Sequence, residues 1–174
     1  MIKKRIINVL FWAIFVCYVV FLVRLMLWRA VQPERGINLV PFRSILEGIN
    51  FHDGIRYHLI DSQVWGNVVT FVPAGLYCMI LYCSKAKPAW RAFIAVLLAS
   101  LSIEVIQFIF RTGATDVDDV ILNVFGGLLG IWLYMLLKKL FKTHEKTKTA
   151  ITIMAALVGI PVVFMFLFVF IVNF

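Results

Sequence analysis

Residues 90–137 read WRAFIAVLLASLSIEVIQFIFRTGATDVDDVILNVFGGLLGIWLYMLL, two apolar runs joined by a short polar hairpin. The runs, Trp90 to Phe110 and Val117 to Leu137, are each about the 20 residues that a helix needs to cross a bilayer. Neither is purely apolar. The first carries Glu104 and Gln107, the second Asp119 and Asn123. Charged groups inside a spanning segment are costly and normally face the bundle interior, so these residues define both a fold and a candidate site.

Three further runs extend the pattern outward: Ile6 to Trp28, Val64 to Cys83, and Ala150 to Val172. In all, 63% of the 174 residues are hydrophobic. The mean hydropathy is +0.96. A soluble domain lies near 45–50% apolar, so this chain has more apolar side chain than one core can hide. The expectation is an all-α polytopic membrane protein, a bundle of about five transmembrane helices forming a single membrane domain. Lys3, Lys4 and Arg5 precede the first run as in a signal peptide, but that run is too long for one and lacks a small-x-small cleavage site. It is expected to stay in the membrane.

The net charge of +8 does not point to nucleic acid, because the cations fall in short clusters between apolar runs. Lys3, Lys4, Arg5, Lys85, Lys87, Arg91, Lys138, Lys139, Lys142, Lys146 and Lys148 fall on one side of the predicted topology. Arg29, Arg35, Arg43, Arg56 and Arg111 fall on the other. The positive-inside rule then places the N terminus in the cytoplasm and the C terminus outside, in a cell membrane. Trp12, Trp28, Trp65 and Trp90 sit near the predicted interfaces, as an aromatic belt does. Cys17, Cys78 and Cys83 lie within apolar runs without a CxxC partner and read as small hydrophobes.

Residues 29–63 form the one sizeable extracytoplasmic loop. Phe42, Ile45, Leu46 and Ile49 recur at helical spacing behind Pro41, which predicts either a short interfacial helix or an irregular loop packed over the bundle. His52, Asp53 and His58 match no metal signature and read as ordinary loop residues; no metal or cofactor is expected.

Depth brings the polar residues together. At a rise of about 1.5 Å per residue, Glu104 lies about 9 Å below the outer boundary, Asn123 about 9 Å, Arg24 about 6 Å and Asn67 about 5 Å. Four helices thus place a polar group in one layer of the outer leaflet. Glu104, Gln107 and Arg111 follow at i, i+3 and i+7 on one face, while Asp119 and Asn123 share another at i and i+4. Asp116 reads equally as a helix N-cap or a ligand, and Asp118 is expected to point to water. Bland alternatives stand beside these: Arg24 snorkelling to headgroups, and Glu104 satisfied by a neighbouring helix. Pro73 and Gly75 would break the second span or admit a neighbour. The Gly126/Gly130 pair predicts close helix packing.

Three blocks carry a resemblance: Asn38-Leu-Val-Pro41-Phe42; Asn67-Val-Val-Thr-Phe71-Val-Pro73-Ala-Gly75; and Ser102-Ile-Glu104-Val-Ile-Gln107 followed by Arg111, Asp116, Asp119, Asn123 and Gly126. In this order they resemble the VanZ-like family of bacterial membrane proteins, over about residues 38–130, with the fifth span outside. The resemblance implies a link to resistance against teicoplanin, a glycopeptide that binds cell-wall precursors. It implies Asn38, Asn67, Glu104, Gln107, Arg111, Asp116, Asp119 and Asn123 as site residues. Three functions compete. The first is binding or shielding of a lipid-linked cell-wall precursor or the glycopeptide at the outer leaflet, through Asn38, Asn67, Gln107, Arg111 and Asn123. The second is an intramembrane enzyme with Glu104 as general base and Asp116 and Asp119 holding a divalent cation, although no GxSxG or HExxH motif is present. The third is a lipid flippase or transporter, weakened by the lack of an inverted repeat.

Overall fold

The computed structural model describes residues 2–27, 36–43, 46 and 62–172, with the side chains of the final helix described as far as Pro161. Five helices account for nearly all of it: α1 (Ile2–Leu27), α2 (Ser62–Tyr82), α3 (Pro88–Phe110), α4 (Val117–Phe141) and α5 (His144–Val172). Two short strands, β1 (Ile37–Asn38) and β2 (Thr115–Asp116), complete the described elements. The fold class is therefore all-helical, and four of the helices among the described residues are long and apolar enough to cross a membrane. The fifth predicted span, 150–172, is helical along its length. Most of the predicted loop, including His52, Asp53, His58 and all but the first turn of the expected interfacial helix, lies outside the described residues.

The chain divides into two compact units, residues 1–21 with 137–174, and residues 22–136. In the first, Lys148 Nζ donates to Asn8 Oδ1 at 2.8 Å and stands 4.4 Å from the centre of the buried Phe11 ring. Thr143 caps α5 by accepting the Lys146 N–H on its hydroxyl oxygen at 3.4 Å. Burial pushes the adjacent His144 imidazole below its usual value of 6.5, with Lys148 and Lys138 acting in the same direction and Glu145 against them.

The second unit buries polar side chains beside an apolar core and exposes apolar faces. The buried face of α3 comprises Ala92, Val96, Ser100, Ile103, Glu104 and Gln107. Its opposite face exposes Leu98, Leu101, Val105 and Ile109. On α4, Phe125, Leu129, Trp132 and Leu136 are likewise exposed, while Asp118 and Asn123 are buried. Water would not tolerate such a surface, whereas lipid tails cover it at no cost. A core of Phe71, Val96 and Ile103, with Leu22, Ala74 and Cys78 against it, joins α1, α2 and α3.

Close backbone contact holds α2 against α4. A Cβ added at Gly126 would overlap the Val68 carbonyl oxygen, and one at Gly130 would overlap that of Val72. In lipid, where apolar burial does not drive helices together, this approach and its dispersion contacts are the main adhesive. The packing expected of the GxxxG pair is what α4 uses. Pro73 leaves α2 unbroken, and Gly75 faces the backbone of Gly127. Replacing Gly130 by valine should cost about 1–3 kcal/mol or more in an unfolding measurement in micelles. Gly66→Ala, where nothing lies within 4 Å of the new carbon, should be neutral or stabilising.

Candidate functional site

One end of the second unit gathers the polar residues, and backbone N–H groups from distant segments complete them. Helix α3 ends at Phe110 because Arg111 adopts a left-handed conformation, with φ 56°; its N–H and that of Thr112 both return to the Gln107 carbonyl. The hairpin then runs into β2, which pairs in parallel with β1 in the register Ile37 with Thr115 and Asn38 with Asp116. The Thr115 N–H also donates to the Gly36 carbonyl at 2.9 Å. This pairing ties the segment between α1 and α2 to the α3–α4 hairpin.

Carboxylates organise the junction. Glu104, 5% exposed, accepts the backbone N–H of Asp116 on Oε2 at 3.1 Å. Asp116 Oδ1 accepts from Asn38 Nδ2 at 3.0 Å and from the Asp118 N–H at 2.8 Å. The second contact is an N-cap on the second residue of α4. Asp118 is fully buried and accepts the N–H of Phe42. Phe42 itself has φ 67°, a costly conformation for a bulky residue that the contact to Asp118 helps to hold. Asn38 Oδ1 closes a local turn on the Val40 N–H at 3.2 Å. Asp118 and Asp119 also occupy the first turn of α4, where the helix dipole favours anions.

Deeper contacts link the helices. Asn67 of α2 donates from Nδ2 to Asp119 Oδ1 of α4. Asn123 of α4, 1% exposed, donates from Nδ2 to Ser100 Oγ of α3 at 3.1 Å, while its Oδ1 finds no partner among the described residues. Gln107, 1% exposed, lies on the same buried face of α3 as Ser100 and Glu104. Arg24 of α1 has its Nη1 atom buried, so this end of the guanidinium is not reaching toward headgroups as a snorkelling side chain does.

The sequence-predicted residues therefore separate into groups. Asn38, Asp116 and Glu104 form one hydrogen-bonded set, Asn67 and Asp119 a second, and Asn123 joins Ser100 in a third. Arg111 is exposed: the helix stops one residue before it, so the i+7 spacing from Glu104 no longer sets its direction. The expectation that Asp118 faces water is wrong, because the Phe42 N–H draws its carboxylate inward. Ser100 was missed as well. Its signal was present, since it lies four residues before Glu104 on the same face. Among the described residues, no three His, Cys, Asp or Glu side chains are grouped as metal ligands would be.

The family model described as VanZ/LLP1 matches residues 9–138, a range that contains every residue of this site. The chain belongs to the VanZ/LLP1 family. It is 41% identical over 106 residues to Protein VanZ of Enterococcus faecium, covering 61% of this chain and 56% of that relative. The chain thus aligns with little more than half the length of that VanZ protein. No solved structure matches. The VanZ/LLP1 match begins within α1, well before the resemblance at 38–130, and ends within α4. Helix α5 lies beyond it.

The Asn67–Asp119 pair is open to a double-mutant cycle with N67A and D119A, read from reversible unfolding in micelles. Hydrogen bonds between membrane helices couple by about 0.6 kcal/mol on average and up to about 1.7 kcal/mol, and a coupling in that range is expected. Strict additivity would mean that the two side chains act separately.

Proposed function

We propose that the polar end of the 22–136 unit engages a lipid-linked cell-wall precursor, or the teicoplanin-type glycopeptide that targets it, at the outer leaflet of a bacterial membrane, and so contributes to glycopeptide tolerance. Supporting this reading is the placement of an exposed arginine, Arg111, at the end of a helix whose buried face carries Glu104 and Gln107. A guanidinium pairs bidentately with phosphate or carboxylate, the anionic groups of such precursors. Behind it, the paired strands hold the loop segment 36–43 in a fixed place, which gives a ligand a pre-ordered surface. Membership of the VanZ/LLP1 family supports the link to glycopeptides that the motif resemblance implies.

The carboxylates that the enzyme reading needs already serve as acceptors within the fold. Glu104 Oε2 takes the Asp116 N–H, Asp116 Oδ1 takes two donors, and Asp119 Oδ1 takes Asn67. That use favours a rigid binding surface over a general base or a cation site.

Binding of fluorescent teicoplanin to intact cells, together with susceptibility, tests the proposal. Expression of the chain should change both in a dose-dependent manner, and R111A should weaken the effect about ten-fold, the loss of one charge-assisted contact. Unchanged binding and susceptibility on expression would refute it. Orientation has its own test in a cysteine-free background. An impermeant maleimide should label R111C from outside intact cells and K87C only after permeabilisation; the reverse pattern would put the site in the cytoplasm.

A further inference from the structure

At the other end of the same unit, the turn between α2 and α3 opens a groove of about 650 Å³. Tyr82, Ala86, Lys87, Trp90 and Arg91 line its mouth, and Ile94, Ala95 and Leu98 continue it along α3. Lys87 and Arg91 are both exposed, and Lys85 stands two residues before Lys87. Arg91 is not loose: its Nε donates to the Ala86 carbonyl at 3.0 Å, which fixes the guanidinium beside the turn. Trp90 stacks on Phe93 with ring centres 5.4 Å apart and an interplanar angle of 29°, and remains 60% exposed. Pro88 opens α3 directly behind these residues.

The groove is thus amphipathic along the helix axis. Cations and an interfacial tryptophan mark one end, and aliphatic side chains the other. Leu98, three turns below Pro88, is 58% exposed on a helix long enough to cross a bilayer. A soluble anion would match the cations and leave the aliphatic floor uncovered. A zwitterionic lipid would cover the floor and match the cations poorly. An acidic diacyl phospholipid satisfies both ends, its phosphate at Lys87 and Arg91 and an acyl chain along Ile94, Ala95 and Leu98.

We propose that this groove is a specific site for one acidic phospholipid in the leaflet opposite the Glu104–Asp118 cluster. The site is independent of the ligand proposed for that cluster. Bound there, the lipid fills the cleft beside the α2–α3 turn and fixes the depth of α3 in the bilayer, with Trp90 at headgroup level.

The full chain, with Trp12, Trp28, Trp65 and Trp132 replaced by phenylalanine, reports from Trp90 alone. In phosphatidylcholine nanodiscs, a small fraction of dibrominated phosphatidylglycerol should quench Trp90 more than the same fraction of dibrominated phosphatidylcholine. Lys87→Gln and Arg91→Gln should each reduce that preference about five-fold, and millimolar inorganic phosphate should leave it unchanged. Native mass spectrometry of the protein with all its tryptophans should retain one phosphatidylglycerol, lost in the double variant K87Q/R91Q. Equal quenching by the two lipids, a preference that survives K87Q/R91Q, or competition by free phosphate would overturn the proposal.

Discussion

Buried carboxylates that must find donors hold the loop, the hairpin and three helices at one end of residues 22–136. Within a membrane, an acceptor without a donor has no water to fall back on, and each costs several kcal/mol. Glu104 and Asp118 meet that demand with backbone N–H groups of Asp116 and Phe42, one across a hairpin and one 76 residues away. The β1–β2 pairing, the N-cap of α4 and the left-handed Phe42 follow from the same requirement. Without the acceptors, only the short β1–β2 pairing and the Thr115 N–H bond to the Gly36 carbonyl are described as holding segment 36–43 on the α3–α4 hairpin.

The same solvent explains the rest of the unit. Lipid covers Leu98, Val105, Phe125 and Trp132 without a gain from hiding them, so the helices cannot rely on apolar burial to associate. They associate instead through backbone approach at Gly126 and Gly130 and through the Asn67–Asp119 and Asn123–Ser100 hydrogen bonds. Polar groups at one end and small residues toward the middle leave the two ends chemically distinct. One is rich in buried carboxylates, and the other, around Lys87 and Arg91, is cationic and exposed.

Much of this was legible in the sequence. The apolar runs gave the helices to within a few residues at most of their ends, because a spanning segment must keep its length and hydropathy. The last two extend further, α4 to Phe141 and α5 from His144, because the lysines between the runs suit a helix C-terminus and Thr143 starts the next helix. Helical spacing put Glu104 and Gln107 on one face, which the helix buries, and the apolar runs marked Asn67 and Asn123 as polar groups that would have to face inward, as both do. Spacing failed at Arg111 because the i+7 face was carried one residue past Phe110, where the apolar run ends and the chain turns left-handed. The role of Asp118 was invisible for a different reason. Three carboxylates open α4 within four residues, and which of them turns inward is decided by a donor from a remote loop. The two-residue strand pair is too short for any period to reveal it.

Amide hydrogen exchange of the full chain in lipid nanodiscs tests this constraint most directly. The account predicts that the N–H groups of Phe42 and Asp116 exchange as slowly as those in the middle of α3, while the more exposed N–H of Val40 exchanges much faster. If Phe42 and Asp116 instead exchange at the rate of an open loop, their carboxylate acceptors do not organise this end of the protein.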